Sequence, residues 1–336
     1  MNDNPKILSI ESSCDDTSAA IYFDRMIKSN VTSTQIIHKK YGGVLPEMAS
    51  RLHQQNIIPV VQEAIDQAGI NIRDIDAIAF TRGPGLLGSL LVGVSFAKAF
   101  AMARDIPMMD VNHLQAHVLA HFIESPKPKF PFLCLTVSGG HTQIVQVNDY
   151  LEMEVLGSTL DDAAGEAFDK TAKMLGLPYP GGPLLDKKAQ KGNPLAFKFA
   201  EPKVKGLNFS YSGLKTSVLY FLQKQMKNNS RFIDENLSDL CASIQYTIVK
   251  VLMDTLKKAV EQSGIREIAI SGGVSANSRL RSEVSNLGKQ LGWNTFIPRL
   301  EYCTDNAAMI AMVGYYKYLK KDFCGQDVSA LARWAI

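Results

Sequence analysis

The chain has 336 residues, 46% hydrophobic and 21% charged, with a formal net charge of +3. This fits a globular protein of about two domains, each large enough to bury its own core, and the mild positive excess permits an acidic partner such as RNA without requiring one. No apolar run reaches the roughly 18 residues of a bilayer span, because the most apolar stretch, 86–103, is interrupted by Gly88, Gly93 and Lys98. The N-terminus enters a strand at once, and the five cysteines are scattered with no CxxC pair. Both features predict a cytoplasmic protein in a reducing compartment, with no membrane, disulfide frame or zinc knuckle.

In chain order, residues 7–24 read as an apolar strand, a small polar turn and a second apolar strand, followed by an extended segment at 26–35. From Pro46 onward Met48, Leu52, Ile57 and Val61 recur at helical spacing, predicting a helix broken or bent near Pro59. A short strand at 76–80 feeds the Gly/Pro turn TRGPGLLGSL and a helix through Ala103. Residues 107–110 form another strand, and a helix carrying His113, His117 and His121 follows. The Pro- and Lys-rich 125–131 is the predicted hinge. Residues 132–149 then repeat 7–24 without a gap, 125 positions later: Ile10 falls on Leu135, Ser13 on Ser138 and Thr17 on Thr142. Beyond lie a helix at 159–176, a rigid turn YPGGP at 179–183, a polar loop at 187–211, and helices at about 212–228 and 236–263. The strand at 267–270 entering SGGVSANSRL echoes 76–80 and its turn, and a last helix starts near Asp305 or Asn306. Strands alternating with helices in two copies predict a duplicated α/β protein.

The Ser- and Gly-rich turns of the two hairpins offer backbone N–H and hydroxyl donors to a phosphate, although ordinary hairpins carry the same composition. His113 and His117 stand four apart on one helical face, the spacing of a bis-histidine metal site and equally of two half-buried or surface histidines. A zinc peptidase would need Glu after the first histidine, where this chain has Leu114. A carboxylate would complete a triad suited to Fe(II) or a similar ion; Asp305, just ahead of the last apolar helix, reads on its own as a helix cap.

The motifs ESSCDDTSAAI, YGGVLPEMASRLH, RGPGLLGSLLVG, NHLQAH, LTVSGGHTQIV, GEAFDK, YPGGP, FSYSGLKTS, SGGVSANSRLR and CTDNAAMIA run in that order from Glu11 to Ala311. In this the chain resembles the universal tRNA threonylcarbamoyladenosine synthase family, in its bacterial form, over essentially its whole length. The resemblance implies the two-lobed fold of actin-like ATPases, Hsp70 chaperones and sugar kinases, with a nucleotide cleft between lobes at 1–124 plus 308–336 and at 125–307. It implies transfer of a threonylcarbamoyl group from threonylcarbamoyl-AMP to the exocyclic amine of the adenosine 3′ of the anticodon, in tRNAs reading codons that begin with A. It also implies metal ligands at His113, His117 and Asp305 for one divalent ion, Fe(II) first with Zn or Mg as alternatives. Thr136, Val137, Ser138, Gly139 and Gly140 match the loop at the acyl-phosphate end, and Asp169, Gly182, Asp186 and Asn277 match contacts to the adenylate. Asp15 and Asp16 match the acidic pair of the first turn, one of them as proton acceptor; the family's pattern commonly has Glu where this chain has Asp16. Implied partners are the tRNA anticodon loop, a paralogous subunit (TsaB) and a small ATPase (TsaE). Backbone N–H groups of 138–141 would stabilise developing charge, and Lys127, Lys129, Lys203 and Lys205 are candidates for tRNA phosphates. The competing readings are an ATP-dependent phosphotransferase of the same superfamily, which would hold its metal through carboxylates and phosphates, and a non-catalytic nucleotide-binding regulator.

Overall fold

A computed structural model describes residues 4–202 and 204–336, so Lys203 lies outside the described residues. The chain divides into two units: unit 1 comprises residues up to 127, 149–153 and 299–336, and unit 2 comprises 128–148 and 154–298. The division falls inside the Pro/Lys-rich segment. The C-terminal return to unit 1 begins at Arg299, however, and not at the sequence-predicted 308. Asp305 therefore belongs to the same unit as His113 and His117.

Unit 1 is built on a five-stranded sheet of β1 (Ile7–Glu11), β2 (Asp16–Phe23), β3 (Met26–Thr34), β4 (Ala77–Gly83) and β5 (Met108–Asn112), in the order β3-β2-β1-β4-β5. The β1–β2 and β2–β3 pairs are antiparallel, whereas β4 runs parallel to β1 and β5 parallel to β4. The α1 helix (Pro46–Ala68) and α2 (Leu87–Arg104) pack against the sheet, closing a core of Leu8, Ile10, Ile57, Val61, Phe80 and Leu90. Helix α1 runs unbroken through Pro59. Pro59 and Gln55, whose carbonyl loses its partner to the proline, both face solvent, so water replaces the missing bond. By length and composition α2 is apolar enough to cross a bilayer, but Leu90, Val94, Ala97 and Ala101 are spent on the core of unit 1. The short α3 (His113–Leu119) continues directly from β5 and packs against α9 (Ala307–Lys320), which also lies along β1 and β2.

Unit 2 repeats the plan. Its strands are β6 (Phe132–Val137), β7 (Thr142–Asp149), β8 (Glu152–Ser158), β9 (Glu267–Ser271) and β10 (Asn294–Phe296), in the order β10-β9-β6-β7-β8. The register confirms the duplication residue by residue. Ile10 pairs with Ala19 and with Phe80 in unit 1, while Leu135 pairs with Ile144 and with Ile270 in unit 2. Because side chains alternate along a strand, a one-residue slip would have turned every apolar residue to the wrong face. The helices are α4 (Ala164–Met174), α5 (Gly181–Ala189), α6 (Ser212–Asn228), α7 (Phe232–Ser263) and α8 (Ser278–Leu291).

Four expectations need correction. The helix expected from 159 starts at Ala164, since Thr159 is held in a bridge to Phe209. The YPGGP turn opens straight into α5. The stretch 187–211 is no plain surface loop, because Phe199, Leu207, Phe209 and Tyr211 are core residues. Helix α7 begins at Phe232, with a non-helical Asn236 at the position where the helix was expected to begin.

Candidate functional site

Asn112 ends β5 and caps α3, its side-chain oxygen accepting from the N–H groups of Leu114 and Gln115 at 2.9 and 3.2 Å. This cap fixes the start of the helix, and with it the direction of His113 at the first position and of His117 one turn on. The first free N–H groups of α9 are claimed in the same way. Ser18 Oγ accepts from Ala307, Asn30 Oδ1 from Ala308 and Asn306 Oδ1 from Met309. Asn306 therefore does the capping for which Asp305 was the alternative candidate. Asp305 is left to meet both imidazoles, with Oδ1 3.4 Å from His113 Nε2 and 3.2 Å from His117 Nε2. The three ligand atoms lie within 4.8 Å of one another. Two nitrogens and one carboxylate oxygen suit a divalent ion of the Fe(II) or Zn(II) kind.

Behind this triad stands a residue that the sequence reading passed over. Glu11, fully buried at the end of β1, receives three hydrogen bonds: from the Nδ1 side of His113 at 3.1 Å, from the Thr81 hydroxyl at 2.5 Å and from the Ser13 N–H at 2.5 Å. A carboxylate on Nδ1 makes that nitrogen an N–H donor and leaves Nε2 facing Asp305, the atom that would become the ligand once an ion displaced its proton. Burial on its own would lower the pKa of His113, but the carboxylates of Asp305 and Glu11 outweigh it and hold the ring well above its ordinary value. Burial likewise opposes ionisation of Asp305, and the two histidines reverse this, leaving it far below the usual carboxylate range. A strongly cation-seeking carboxylate facing two imidazoles is a site that fits a metal. Glu11 had one signal in the sequence, the single charge of the strand ILSIE, at its end, where an unpaired buried carboxylate would be costly.

The first turn, 12–15, is clamped by close contacts. A Cβ on Gly85 would lie 2.5 Å from the Ser13 carbonyl oxygen, and one on Gly93 would lie 2.4 Å from Ser12 Oγ. The imidazole of His53 accepts from the Thr17 hydroxyl at 2.7 Å and donates to the Cys14 carbonyl at 3.0 Å. Asp15 ends this turn and Asp16 opens β2. Asp16 is pushed by burial up to about 7, with Thr34 pulling it down and Asp305 and Asp15 adding to the rise. Its Oδ1 is buried with no partner among the described residues.

In unit 2 the candidates for adenylate contacts form a ring. The 138–141 turn meets α4 where Gly165 N–H donates to the Ser138 carbonyl at 3.2 Å. One turn along α4, Asp169 Oδ1 accepts from the N–H groups of Gly181 and Gly182 at 2.9 and 3.0 Å. Further along α5, Asp186 accepts from Gln245, from the Ser278 hydroxyl at 2.6 Å and from Ser278 N–H at 3.1 Å. Asn277 caps α8 through Leu280 N–H. The ring closes where a Cβ on Gly272 would lie 2.5 Å from the Val137 carbonyl oxygen.

This geometry narrows what each residue offers. Thr136 and Val137 are fully buried in the sheet, the Thr136 hydroxyl bonded to Ser271 at 3.0 Å, so their side chains face no ligand. Of the four N–H groups expected to stabilise charge, that of Ser138 is spent on the His141 carbonyl at 2.8 Å and that of His141 on Ser138 Oγ at 3.1 Å. Gly139 and Gly140, exposed and with open space around them, keep theirs. Lys215, in the first turn of α6, lies 3.8 Å from Asp162.

Two units of identical strand order, each with a polar turn after its first strand, define the duplicated actin-like ATPase class. Solved structures agree. The chain is similar to HypF of T. kodakarensis (TM-score 0.65, 14% identity, 96% of this chain and 49% of that chain). It is also similar to (R)-2-hydroxyglutaryl-CoA dehydratase component A of Acidaminococcus fermentans (TM-score 0.55, 15% identity, 94% and 99%). At such identity the likeness shows the fold alone. The family model described as "TsaD: tRNA N6-adenosine threonylcarbamoyltransferase" matches residues 26–312. Proteins of that name from Christiangramia forsetii (61% identical over 331 residues, 98% of this chain and 97% of that one) and Riemerella anatipestifer (60% over 333 residues, 98% of each) are similar throughout. The chain belongs to the tRNA N6-adenosine threonylcarbamoyltransferase family and is an acyltransferase of tRNA modification.

Proposed function

We propose that the chain transfers the threonylcarbamoyl group of threonylcarbamoyl-AMP to the exocyclic amine of the adenosine 3′ of the anticodon, in tRNAs reading codons that begin with A, with AMP leaving. The observation that carries this reading is the family match along nearly the whole chain. An adenine amine is a poor nucleophile, its lone pair delocalised into the ring, so the acyl donor must be activated. His113, His117 and Asp305 would hold one divalent ion, Fe(II) first with Zn(II) or Mg(II) as alternatives, which when bound supplies Lewis acidity toward carbonyl or phosphoryl oxygen. The N–H groups of Gly139 and Gly140 donate to oxygens of the acyl phosphate, where negative charge grows during transfer. The ring through Asp169, Gly182, Asp186 and Asn277 seats the adenylate chiefly by backbone, since Asp169 and Asp186 already spend carboxylate oxygens on helix N-termini. Asp16, held near pH 7, is suited to take the amine proton, with Asp15 beside it as the alternative. An anticodon-loop adenosine is already unpaired, so presenting it costs less than extruding a duplex base.

The chain acts in the cytoplasm, with a paralogous subunit (TsaB) and a small ATPase (TsaE) as partners. The test is nucleoside mass spectrometry of tRNA incubated with the chain, its partners, Fe(II) and threonylcarbamoyl-AMP. Threonylcarbamoyladenosine is expected, and its absence with intact donor and metal-loaded protein would refute the reading.

A further inference from the structure

Between Asp186 and Asp234 the sequence carries nine lysines and Arg231 against a single acidic residue, Glu201. That segment is formally +9 within a chain of net +3, so the rest of the protein sums to −6. A solubility surface mixes signs, and elsewhere in unit 2 Lys170, Lys250 and Lys257 pair with carboxylates. In the basic segment the pattern reverses. Lys187, Lys188, Lys191, Lys198, Lys224 and Lys227 are all exposed, and none has an ion-pair partner among the described residues. The nearby carboxylates are already engaged: Glu235 by Arg231 and Asn229, and Asp239 by the N–H of Asn193.

Phenylalanines fasten the segment together. Phe197 lies 5.3 Å from Phe221 on α6 and 5.7 Å from Phe232 at the start of α7, and Phe199 lies 5.5 Å from Phe221. Lys198 sits between the two phenylalanines that grip α6. On α6, Tyr220, Lys224 and Lys227 follow at i, i+4 and i+7 and so share one face, opposite the buried Leu214, Val218 and Leu222. Tyr220 is 65% exposed, an aromatic platform beside two unpaired ammonium groups.

We propose that this face of unit 2, formed by the chain from Lys187 to Lys198 and the outer side of α6, is the docking surface for the tRNA backbone. In it the lysines contact phosphates and Tyr220 stacks on an unpaired base. Phosphate contacts position a nucleic acid without reading its sequence, and aromatic stacking is likewise sequence-tolerant, as required of an enzyme acting on several tRNAs. The proposal rests on the tRNA-modifying reading above.

The test titrates unmodified tRNA into the full chain at a series of salt concentrations. It compares wild type with Lys187→Ala/Lys188→Ala/Lys191→Ala, Lys198→Ala/Lys224→Ala/Lys227→Ala and Tyr220→Ala. Each lost phosphate contact should weaken binding about four- to fivefold at physiological salt and reduce the slope of log K against log [salt] by roughly 0.7–0.9. Tyr220→Ala should weaken binding with the slope unchanged, and Lys257→Ala, whose ammonium pairs with Asp254, should change neither. Wild-type affinity and slope in both lysine variants would overturn the proposal. So would weaker binding with an unchanged slope in those variants, which marks disturbed folding and not lost phosphates. An acidic protein captured by this face while tRNA affinity stays at the wild-type value would overturn it in favour of protein docking. If product forms while the lysine variants bind tRNA normally, this face alone is wrong; if the face binds tRNA but loaded protein makes no product, the transferase reading is wrong.

Discussion

Replacing Glu11 by Gln keeps the volume of a buried side chain and removes its charge. The carboxylate takes His113 and the Thr81 hydroxyl on Oε2 and the Ser13 N–H on Oε1. A glutamine has one carbonyl oxygen, so if it serves His113 and Thr81 its amide confronts the Ser13 N–H, donor against donor. One buried unsatisfied donor costs about 1–3 kcal/mol, and losing the carboxylate behind a metal-ligating histidine costs about 10–100-fold in metal affinity. Competition of the protein against a chromophoric chelator for Zn(II) or anaerobic Fe(II) measures the second effect, and thermal denaturation of metal-free protein measures the first. Glu11→Ala should lose more stability than Glu11→Gln, because all three donors are stranded. If Glu11→Gln binds metal as tightly as wild type while its melting temperature falls, Glu11 is structural and the orientation argument fails.

Further outcomes follow from the same geometry. Gly85→Ala forces a Cβ against the Ser13 carbonyl, 2.5 Å away, so it should displace the turn that holds Glu11 and weaken metal binding; unchanged metal affinity would show that the turn yields freely. Gly165→Ala presses on the Ser138 carbonyl at 2.5 Å and on Gly139 Cα at 2.8 Å. It should therefore raise KM for the acyl adenylate more than KM for tRNA, and equal effects would count against the phosphate turn. Asp16, raised to about 7, should give an acid limb near pH 7 in kcat that Asp16→Asn removes; a limb surviving in that variant assigns the proton to another group. Burial lowers the pKa of His53, which stays neutral between Thr17 and Cys14. The unfolded ring binds the proton more readily, so this stability is present above the ordinary histidine value of 6.5 and is lost as pH falls below it. Denaturant midpoints of wild type and His53→Gln across that range would show it, and parallel curves would refute it.

Sequence alone carried the duplication to single-residue register, because a hairpin's alternation and turn are local and repeat without a gap. Helical spacing likewise placed His113 and His117 on one face. What escaped depended on distant partners. Glu11 acquires its meaning from His113, 102 positions on, and no local pattern encodes that bond. The choice between Asp305 and Asn306 as helix cap turned on Ser18 and Asn30, supplied by β2 and β3. The 187–211 stretch looked like surface because its lysines outnumber its aromatic residues in sequence, yet Phe199, Phe209 and Tyr211 are gathered into the core by tertiary contacts. Nor did composition show that two of the four N–H groups in the 138–141 turn close the turn on itself.

The most direct check is the metal content of protein loaded anaerobically with Fe(II), freed of excess ion and digested for elemental mass spectrometry. Wild type should retain close to one ion per chain, and the His113→Ala/His117→Ala/Asp305→Ala protein almost none. Equal retention by the two would contradict a centre built from these three side chains.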